Sequence, residues 1–398
     1  MNNIVAGEHP QSFDGAPVVI IGTGLAGYTV ARELRKLDRV VPIVMISSDD
    51  GCFYSKPTLS NALAMKKEPH ALATFDAAAM AAQLNAEIRV HQRVERIVPA
   101  ERTIVVEGRA LRYGKLVIAT GADVRRLRIE GDAASDILSI NDLADYTRFR
   151  QALIRCRSVA ILGAGLIGCE FANDLSSAGY SVSLIDPAQT PLARLLPEKA
   201  GAVFARALND SGVRFYLGRS VAHAGRLQTG YRLTLTDGEQ IDADLVVSAV
   251  GLVPRTALAK TAGLAIDQGI RTDAWCRTSA PDIYALGDCA AIDGKVQPYV
   301  LPIMHAARAL ARTLCGDPTP VVFPVMPVTV KTPATPAIVV TPDIHGEWLI
   351  EASPDESCRS VRAICHSMDS GQPIGFALVG EATEGKAALL KAMTAAAS

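Results

Sequence analysis

Short apolar runs alternate with segments of helical periodicity along this chain, and one strand–helix–strand pattern occurs twice. Residues 18–21 form a continuous β-branched apolar run that predicts a buried strand, and residues 25–37 carry apolar positions at helical spacing. A second strand is predicted over 41–46. The same order of elements recurs over residues 159–185. Strands that alternate with helices in this way predict an α/β fold with parallel sheets.

The segments between and after these two units predict further strands. Residues 97–109 alternate like a hairpin, and residues 116–118 form a short apolar run that leads into Ala-Thr-Gly-Ala. Strands are also predicted over 214–217, 231–235 and 245–250. From residue 321 onward, short β-rich runs separated by prolines precede an alanine-rich helical tail, which predicts a separate small β-sheet domain.

Each strand–helix–strand unit opens with a glycine motif of the kind that binds a dinucleotide. The motifs are Val-Val-Ile-Ile-Gly-Thr-Gly-Leu-Ala-Gly, ending at Gly27, and Val-Ala-Ile-Leu-Gly-Ala-Gly-Leu-Ile-Gly, ending at Gly168. In such a motif the first glycine permits a tight turn, the second lets a pyrophosphate approach, and the third lets the helix pack closely on the sheet. The candidate binding residues are Gly22, Thr23, Gly24, Ala26 and Gly27 in the first motif and Gly163, Gly165 and Gly168 in the second. Two such motifs imply two bound dinucleotides, with electrons passing between them.

Acidic residues follow the second strand of each unit, where a ribose hydroxyl would be bound. Asp186 comes directly after the second strand of the later unit, and a carboxylate there would repel a 2′-phosphate. The sequence therefore favours NADH over NADPH. In the first unit Ser47 and Ser48 precede Asp49 and Asp50, so either aspartate could serve; we select Asp49.

Length and composition narrow the classes of function. The 398 residues are enough for two or three domains, and the formal net charge of −1 gives no sign of a nucleic-acid or membrane-surface partner. No apolar run is long enough to span a bilayer, and the polar, irregular residues 1–15 predict a loose leader without the features of a signal peptide. The eight cysteines show no Cys-x-x-Cys spacing, which predicts reduced thiols, no metal site and a cytoplasmic location.

A third motif, Thr278-Ser-Ala-Pro-Asp-Ile-Tyr-Ala-Leu-Gly-Asp288, identifies the first cofactor. Taken alone, Asp288 would be a helix N-cap. The whole run resembles the second FAD signature of the two-dinucleotide flavoprotein reductases, the glutathione-reductase-like superfamily, in which this aspartate binds the ribitol of FAD. The resemblance implies two Rossmann-like dinucleotide-binding domains and a small C-terminal α+β interface domain. The predicted division is a leader over 1–15, an FAD-binding domain over 16–122 and 252–320, an NAD-binding domain over 123–251, and an interface domain over 321–398.

Further stretches resemble one branch of that superfamily, the NADH-dependent rubredoxin reductases of bacterial alkane-hydroxylation systems. They are Tyr-Ser-Lys-Pro-Thr-Leu-Ser at 54–60, Gly-Leu-Ile-Gly-Cys-Glu-Phe-Ala-Asn-Asp-Leu at 165–175, Tyr-Ala-Leu-Gly-Asp-Cys-Ala at 284–290 and Met-Pro-Val-Thr-Val-Lys-Thr-Pro at 326–333. The resemblance implies FAD and NADH as cofactors and rubredoxin, typically a small acidic iron protein, as partner. Hydride would pass from NADH to FAD, and single electrons would pass to two rubredoxins. A monomer or weak homodimer is expected, without membrane insertion or nucleic acid.

The resemblance also implies roles for single residues. Lys56 would lie near flavin N5, and Glu170 would pair with Lys56 and position the nicotinamide. The other expected cofactor contacts are Val94 beside the adenine, Thr120 and Gly121 at the FAD pyrophosphate, Val300 and Lys331 toward the isoalloxazine, and Gly251 on the NAD side. Arg308, Arg312 and Lys331 are candidate contacts for an acidic rubredoxin.

Other functions remain open on the same fold. A ferredoxin or flavorubredoxin reductase would use the same mechanism with a different acceptor. Cys52 stands alone after the second strand, without the cysteine pair of a disulfide reductase, so a Cys52-dependent NADH oxidase or peroxidase is an alternative. A flavin-binding interaction protein of the apoptosis-inducing-factor type is a non-enzymatic one.

Overall fold

Residues 15–352 and 359–396 are described by the computed structural model, and their contacts divide the chain into two units. The first unit comprises the residues up to Tyr54, Ala73–Asp123 and Val253–Pro324, and the second comprises Ser55–Leu72, Val124–Leu252 and the residues from Val325. Apart from Gly15, the leader predicted over 1–15 lies outside the described residues.

The helices and strands are numbered in chain order. The helices are α1 Leu25–Leu37, α2 Ala77–Leu84, α3 Leu143–Leu153, α4 Leu166–Ser177, α5 Glu198–Asp210, α6 Ala257–Thr261, α7 Val300–Leu314 and α8 Lys386–Ala396. The first strands are β1 Val18–Ile21, β2 Ile43–Ile46, β3 Phe53–Tyr54, β4 Ala73–Phe75, β5 Glu87–Arg89, β6 Val94–Val98, β7 Thr103–Val106, β8 Arg109–Arg112, β9 Lys115–Ile118, β10 Ala122–Val124, β11 Leu138–Ser139, β12 Ser158–Leu162, β13 Ser181–Asp186 and β14 Val213–Leu217. The later strands are β15 Val221–Arg226, β16 Tyr231–Leu235, β17 Gln240–Ala243, β18 Leu245–Ser248, β19 Leu252–Pro254, β20 Ile270–Thr272, β21 Ile283–Ala285, β22 Ala290–Ile292, β23 Val328–Val330, β24 Ala337–Val340, β25 Gly346–Ala352, β26 Val361–Ser367 and β27 Pro373–Val379.

The first unit is built on a five-stranded parallel sheet in the order β21-β9-β1-β2-β5. Side chains of a strand alternate between its two faces, and both faces of β1 are apolar because both are covered. Val18 and Ile20 pack in a cluster with residues of α1 and α7. Val19 and Ile21 pack on the opposite face against the antiparallel meander β6-β7-β8.

The second unit repeats this plan and adds a further sheet. Its parallel sheet has the order β11-β18-β12-β13-β14, and the antiparallel meander β15-β16-β17 covers one face through a shared apolar cluster. The added sheet is antiparallel, in the order β23-β24-β27-β26-β25. Leu389 and Met393 of α8 pack on Phe376 and Leu378 of β27. The small C-terminal sheet with its helical tail agrees with the pattern from residue 321 onward.

Two carboxylates of α4 hold residues 55–72 in the second unit. Asp174 is fully buried and accepts hydrogen bonds from the backbone N–H groups of Leu63, at 3.1 Å, and Ala64, at 2.7 Å. Glu170 accepts the Ser60 hydroxyl at 2.5 Å. Both carboxylates reach the same segment because residues four apart lie on one helix face.

This packing differs from the predicted division, which placed residues 55–72 in the FAD-binding domain. The segment lies between two pieces of the first unit in sequence, yet it makes polar contacts with α4, with Arg150 of α3 and with Lys331, which belong to the second unit. The division into FAD-binding, NAD-binding and interface domains stays a prediction, because contacts alone do not assign a segment to a cofactor. Within the described residues, no helix is long and apolar enough to cross a membrane.

Burial raises the pKa of Asp174 to about 6, although hydrogen bonds from Ala64 and Leu63 work in the opposite direction. The folded state therefore binds this proton more tightly than the unfolded chain, whose aspartate pKa is about 3.9. The stability that this group contributes is highest at low pH and is lost as the pH rises toward and past about 6. Well above the folded-state pKa, the contribution of Asp174 to stability no longer changes with pH.

Asp174→Asn is expected to remove this part of the pH dependence. Linkage predicts that the wild-type protein loses about 1.4 kcal/mol of unfolding free energy between pH 5 and pH 7.5 through Asp174 alone. The variant lacks that loss because asparagine does not titrate. Urea unfolding at both pH values measures the difference, with the exposed Asp369→Asn as a control that should keep the wild-type dependence. The same pH dependence in Asp174→Asn and wild type would contradict the assignment.

Candidate functional site

The loops that follow β1, β2, β9 and β21 carry most of the residues predicted to bind the first dinucleotide. These strands are parallel, so their carboxyl ends share one edge of the sheet, which is where open α/β sheets bind ligands. The N–H of Gly22, directly after β1, donates to the carbonyl oxygen of Ile46, the last residue of β2, at 2.8 Å. Thr120 and Gly121 follow β9, and Asp288 follows β21. The fold therefore brings these predicted residues to one edge.

The three glycines of the first motif are explained by different physical constraints. Gly22 has a φ of +113°, and a Cβ built on it would lie 2.3 Å from the carbonyl oxygen of Ala119. A Cβ on Gly27 would lie 2.0 Å from the carbonyl oxygen of Gly22. Gly24 has an ordinary φ of −74°, and no described atom lies within 4 Å of its Cβ position. The protein itself requires glycine at 22 and 27, whereas at 24 the open space fits a bound pyrophosphate.

The amino terminus of α1 is left open for an anion. Gly24 is its N-cap and offers no side-chain hydrogen bond, and the first turn contains no acidic residue. The first N–H groups of the helix and its positive dipole end are therefore suited to a phosphate. The residues present fit the FAD pyrophosphate predicted from the sequence.

Asp49 is connected to the first motif through hydroxyl groups. Thr23 Oγ1 lies 2.6 Å from Ser47 Oγ and 3.2 Å from Asp49 Oδ1, and the Ser47 hydroxyl donates to the same carboxylate oxygen. Asp50 accepts instead from the backbone N–H of Cys52 at 3.0 Å. This network lies beside the first glycine motif, so it supports the choice of Asp49, which stays a prediction.

Two further predicted contacts in the first unit are restricted by burial and position. Val94 is 7% exposed, with its side chain in the apolar cluster beneath the meander, so any ligand contact would come from its backbone. Val300 is the first residue of α7, partly exposed, and its N-cap Tyr299 makes no side-chain capping bond. A backbone contact from Val300 stays a prediction.

The second glycine motif repeats the pattern of the first. Gly163 has a φ of +105° and its Cβ position lies 2.8 Å from the carbonyl oxygen of Ala249, while that of Gly168 lies 1.9 Å from the carbonyl oxygen of Gly163. Gly165 is the N-cap of α4 without a side-chain cap, no described atom lies within 4 Å of its Cβ position, and the first turn of α4 contains no acid. Gly251, after β18, also faces open space. The residues present fit a second dinucleotide.

Asp186 is the last residue of β13 and is fixed beside the second motif. Its Oδ2 accepts the N–H of Ala164 at 2.6 Å, and its Oδ1 accepts the N–H of Ala188 at 2.8 Å. A carboxylate has about four acceptor positions, so both oxygens keep capacity for the hydroxyl groups of a ribose. The ribose contact of Asp186 stays a prediction.

Glu170 is the centre of a buried charge cluster on α4. It has no solvent exposure; its Oε1 accepts the backbone N–H of Lys331 at 2.9 Å, and its Oε2 accepts the Lys331 ammonium at 2.9 Å as well as the Ser60 hydroxyl. The expected pairing of Glu170 with Lys56 is therefore wrong, because the cation is Lys331. Lys56 donates to Asn141 Oδ1 at 2.8 Å. Lys56 begins a 3₁₀ turn on the exposed side of the segment, whereas Ser60, at its buried end, reaches the carboxylate.

The Lys331 ammonium is surrounded by oxygen atoms. Besides Glu170 it donates to the carbonyl oxygen of Pro57 and lies 3.3 Å from the Ser60 hydroxyl. In the amide orientation that satisfies both of its atoms, Asn61 accepts from the ammonium at 3.1 Å and donates to the Lys331 carbonyl at 3.0 Å. An ammonium has only three N–H donors, so these acceptors hold its charge in one place. The Lys331 side chain keeps 38% exposure and is accessible from outside the cluster.

Sequence reasoning missed three residues of this arrangement: Ser60, Asn61 and Asp174. Ser60 ends the Tyr-Ser-Lys-Pro-Thr-Leu-Ser motif, and Asn61 follows it. Glu170 and Asp174 are two acids four residues apart inside a mostly apolar helix, a spacing that places them on one face. That spacing was the available signal for a buried polar cluster.

Because different constraints act on Gly24 and Gly27, their substitution should affect different properties, FAD binding in one case and stability in the other. Gly24→Ala should change the stability of the cofactor-free protein by less than about 1 kcal/mol, the scale of an N-cap exchange, and should lower FAD binding, because its methyl group enters ligand space. Gly27→Ala should cost about 1–3 kcal/mol of stability with or without FAD, because the backbone must shift. Thermal unfolding of the cofactor-free proteins and the ratio of flavin to protein absorbance measure the two effects. A full flavin content in Gly24→Ala would refute the reason given for that glycine.

Comparison with known proteins agrees with this arrangement. Residues 16–311 match the pyridine nucleotide-disulphide oxidoreductase family, and residues 320–393 match the rubredoxin binding C-terminal domain. A protein named Rubredoxin-NAD(+) reductase from Alcanivorax borkumensis is 46% identical over 382 residues, which are 95% of this chain and 99% of that protein. One of the same name from Acinetobacter baylyi is 44% identical over 381 residues, covering 93% of this chain and 95% of that protein.

A solved structure has the same fold. The reductase in the covalent putidaredoxin reductase–putidaredoxin complex superposes with a TM-score of 0.85 at 26% identity, covering 95% of this chain and 93% of that chain. The predicted α/β architecture is therefore confirmed. The chain belongs to the pyridine nucleotide-disulphide oxidoreductase family and carries a rubredoxin-binding C-terminal domain.

Proposed function

We propose that the protein transfers electrons from NADH, through bound FAD, to rubredoxin. The observation that carries the proposal is that one chain holds two dinucleotide cradles, each an uncapped helix terminus at a glycine that faces open space. Two such cofactors in one enzyme imply electron transfer between them. The two Rubredoxin-NAD(+) reductases and the matched C-terminal domain indicate rubredoxin as the acceptor.

The chain's own residues divide the binding of the two cofactors. In the first unit, Gly24 and the amino terminus of α1 would hold the FAD pyrophosphate, with Asp49 at a ribose and Asp288 at the ribitol. In the second unit, Gly165 and Asp186 would hold the pyrophosphate and a ribose of NADH. FAD, when bound, supplies the ability to accept two electrons as a hydride and to pass them on singly.

Asp186 supports the preference for NADH over NADPH. Two backbone N–H groups hold its carboxylate at the end of β13. A 2′-phosphate would stand against this charge, and a like-charge pair at about 4 Å costs on the order of 4 kcal/mol at an effective dielectric constant of about 20. A ribose hydroxyl donates to the same carboxylate without that cost.

Glu170 and the neighbouring oxygens fix the position of the Lys331 ammonium, while Glu170 balances its charge. The ammonium is held by oxygens from three other residues and from Glu170, so its position is set before any cofactor binds. A preorganised cation of this kind stabilises negative charge that develops close to it. We assign Lys331, together with the predicted Lys56, to the neighbourhood of the electron-accepting ring.

We also propose a place for the activity in the cell. NADH and reduced thiols are typical of the cytoplasm, and the cysteines of the described residues are all free. The electrons delivered to rubredoxin would serve an oxygenase such as an alkane hydroxylase. Loss of growth on alkanes after disruption of the gene would support this consumer, and unchanged growth would count against it.

Anaerobic NADH oxidation by the purified flavoprotein tests the function. With a bacterial rubredoxin as acceptor, we expect NADH-dependent bleaching of two rubredoxins per NADH, because a hydride carries two electrons and each one-iron protein accepts one. A [2Fe–2S] ferredoxin and hydrogen peroxide serve as parallel acceptors. Fast turnover with either of these and none with rubredoxin would refute the proposal.

Cys52 is poorly suited to the alternative oxidase or peroxidase chemistry. Burial, followed by the charge of Asp50, raises the pKa of its thiol to about 11. A redox cysteine reacts as the thiolate, which is scarce at neutral pH under such conditions.

Cys52→Ser should therefore keep rubredoxin reduction within about twofold of wild type. The variant should also leave any slow peroxide-dependent NADH oxidation unchanged. Steady-state rates with the two acceptors measure both. Loss of peroxide turnover together with low rubredoxin turnover in the wild type would instead assign the chemistry to this thiol.

A further inference from the structure

Residues 64–67, which we call the lysine turn, form an exposed tip on the segment held by α4. The turn contains Met65, half exposed, and two exposed lysines, Lys66 and Lys67. Neither lysine takes part in an ion pair within the described part of the chain. The tip therefore offers two positive charges and one apolar side chain to a partner.

The backbone of the turn adopts a conformation that does not favour lysine. The N–H of Lys67 donates to the carbonyl of Ala62 at 2.9 Å, and the N–H of Lys66 donates to the carbonyl of Leu63 at 2.8 Å. These are the two bonds of a Schellman motif, in which Lys66 occupies the left-handed position with a φ of +53°. Glycine is the usual residue there, because a Cβ is disfavoured at positive φ.

The turn is also held rigidly from below. Asp174 accepts the N–H groups of Leu63 and Ala64, and Arg150 donates to the carbonyl of Lys67 at 2.8 Å. The lysine side chains are thus presented by a backbone that is already ordered. An ordered contact loses less conformational entropy when a partner binds.

The lysine turn is close to the charge cluster of the proposed electron-transfer site. The side-chain amide of Asn61 contacts the ammonium and the backbone carbonyl of Lys331. The backbone carbonyl of Asn61 accepts the N–H of Met65 at 3.2 Å. One helical turn of chain therefore separates the lysine turn from the Lys331 ammonium. Two acids lie near the lysine turn: Glu68 is paired with Arg150 at 3.0 Å, and Asp174 is buried and accepts backbone N–H groups of Leu63 and Ala64.

Some of the other candidate cations already have ionic partners. The matched rubredoxin-binding domain, residues 320–393, carries eight aspartates and glutamates against five lysines and arginines, and Arg362 in it pairs with Glu351. Arg312, expected from the sequence to contact rubredoxin, is paired with Asp317 and bonded to Thr319. Within the described residues, the two lysines of the lysine turn have no ionic partner, as is also true of the exposed Arg308.

We propose that the lysine turn is a docking surface for the carboxylate-bearing face of the acceptor protein, with Met65 as its apolar contact. The inference rests on the proposed function, because it assumes a small acidic electron carrier as acceptor. Opposite charges would accelerate the encounter and orient the carrier, and a methionine adapts to the surface that it meets.

Charge reversal tests the surface directly. The variant Lys66→Glu/Lys67→Glu is compared with Lys199→Glu/Lys260→Glu, which makes the same change in net charge at exposed lysines elsewhere. Rubredoxin reduction is measured at low and high salt and expressed relative to NADH–ferricyanide reduction, which reports on the cofactor sites. We expect the KM for rubredoxin to rise about tenfold at low salt in the first variant only, and the difference to shrink at high salt.

The failures of the two proposals can be told apart. If wild type reduces ferricyanide but not rubredoxin, the proposed function is refuted, and the docking surface with it. If wild type reduces rubredoxin and the Lys66→Glu/Lys67→Glu variant shows the wild-type KM and salt dependence, the docking surface alone is refuted. An equal loss in the control variant would also refute it, because net charge and not this turn would then be responsible.

A second variant separates docking from folding. Lys66→Gly should raise the melting temperature, since glycine suits the left-handed position, and should still weaken rubredoxin reduction at low salt. Carbodiimide cross-linking of wild type to rubredoxin should join carboxylates of the carrier to Lys66 or Lys67, as identified by mass spectrometry. Cross-links confined to other lysines, or unchanged rubredoxin kinetics in the more stable Lys66→Gly variant, would overturn the proposal.

Discussion

The ion pair between Glu170 and Lys331 is the interaction on which the arrangement of α4 and its neighbouring segments in the second unit depends. The Glu170 carboxylate has no exposure to solvent. A buried charge is tolerated only when it is paired and hydrogen-bonded, and removal of one partner leaves it uncompensated. Ser60 and Lys331 satisfy it, and they come from segments more than a hundred residues away in sequence on either side. The carboxylate thereby joins α4, the 55–72 segment and the loop after β23. Because α4 begins at the second glycine motif, one rigid helix carries both the nucleotide cradle and the charge cluster.

The two glycine motifs show how one physical solution is used twice. In both, the first and third glycines are required by the protein, because a Cβ would collide with backbone carbonyls. The middle glycine has no such reason in either motif and faces open space at an uncapped helix terminus. A residue that the fold does not require, at a place suited to an anion, is best explained by a ligand. The repetition makes this explanation stronger than either motif would alone.

The second anchor on α4, Asp174, illustrates a different compromise. Burial disfavours its charged form, yet its two hydrogen bonds order the turn that carries Lys66 and Lys67. The same turn places Lys66 in a left-handed conformation that glycine adopts at lower cost. The buried Asp174 carboxylate and the left-handed Lys66 are thus two features that are costly for folding, and both shape a turn that carries exposed lysines. Costs of this kind are expected where a surface is used for function.

The sequence by itself determined the local elements and the chemistry of the two cradles. The bounds of β1 and α1 agree with the apolar pattern, and β12 and β13 of the repeat agree with their predicted bounds to within one residue. The C-terminal sheet lies in the β-rich region predicted from residue 321 onward. The agreement is close because periodicity and glycine placement act over a few residues. Only the tertiary structure decided that Lys331 and not Lys56 neutralises Glu170, and that residues 55–72 pack on α4. Those choices depend on which distant side chains meet around one buried charge. No local pattern encodes that meeting, since it results from the packing of whole elements.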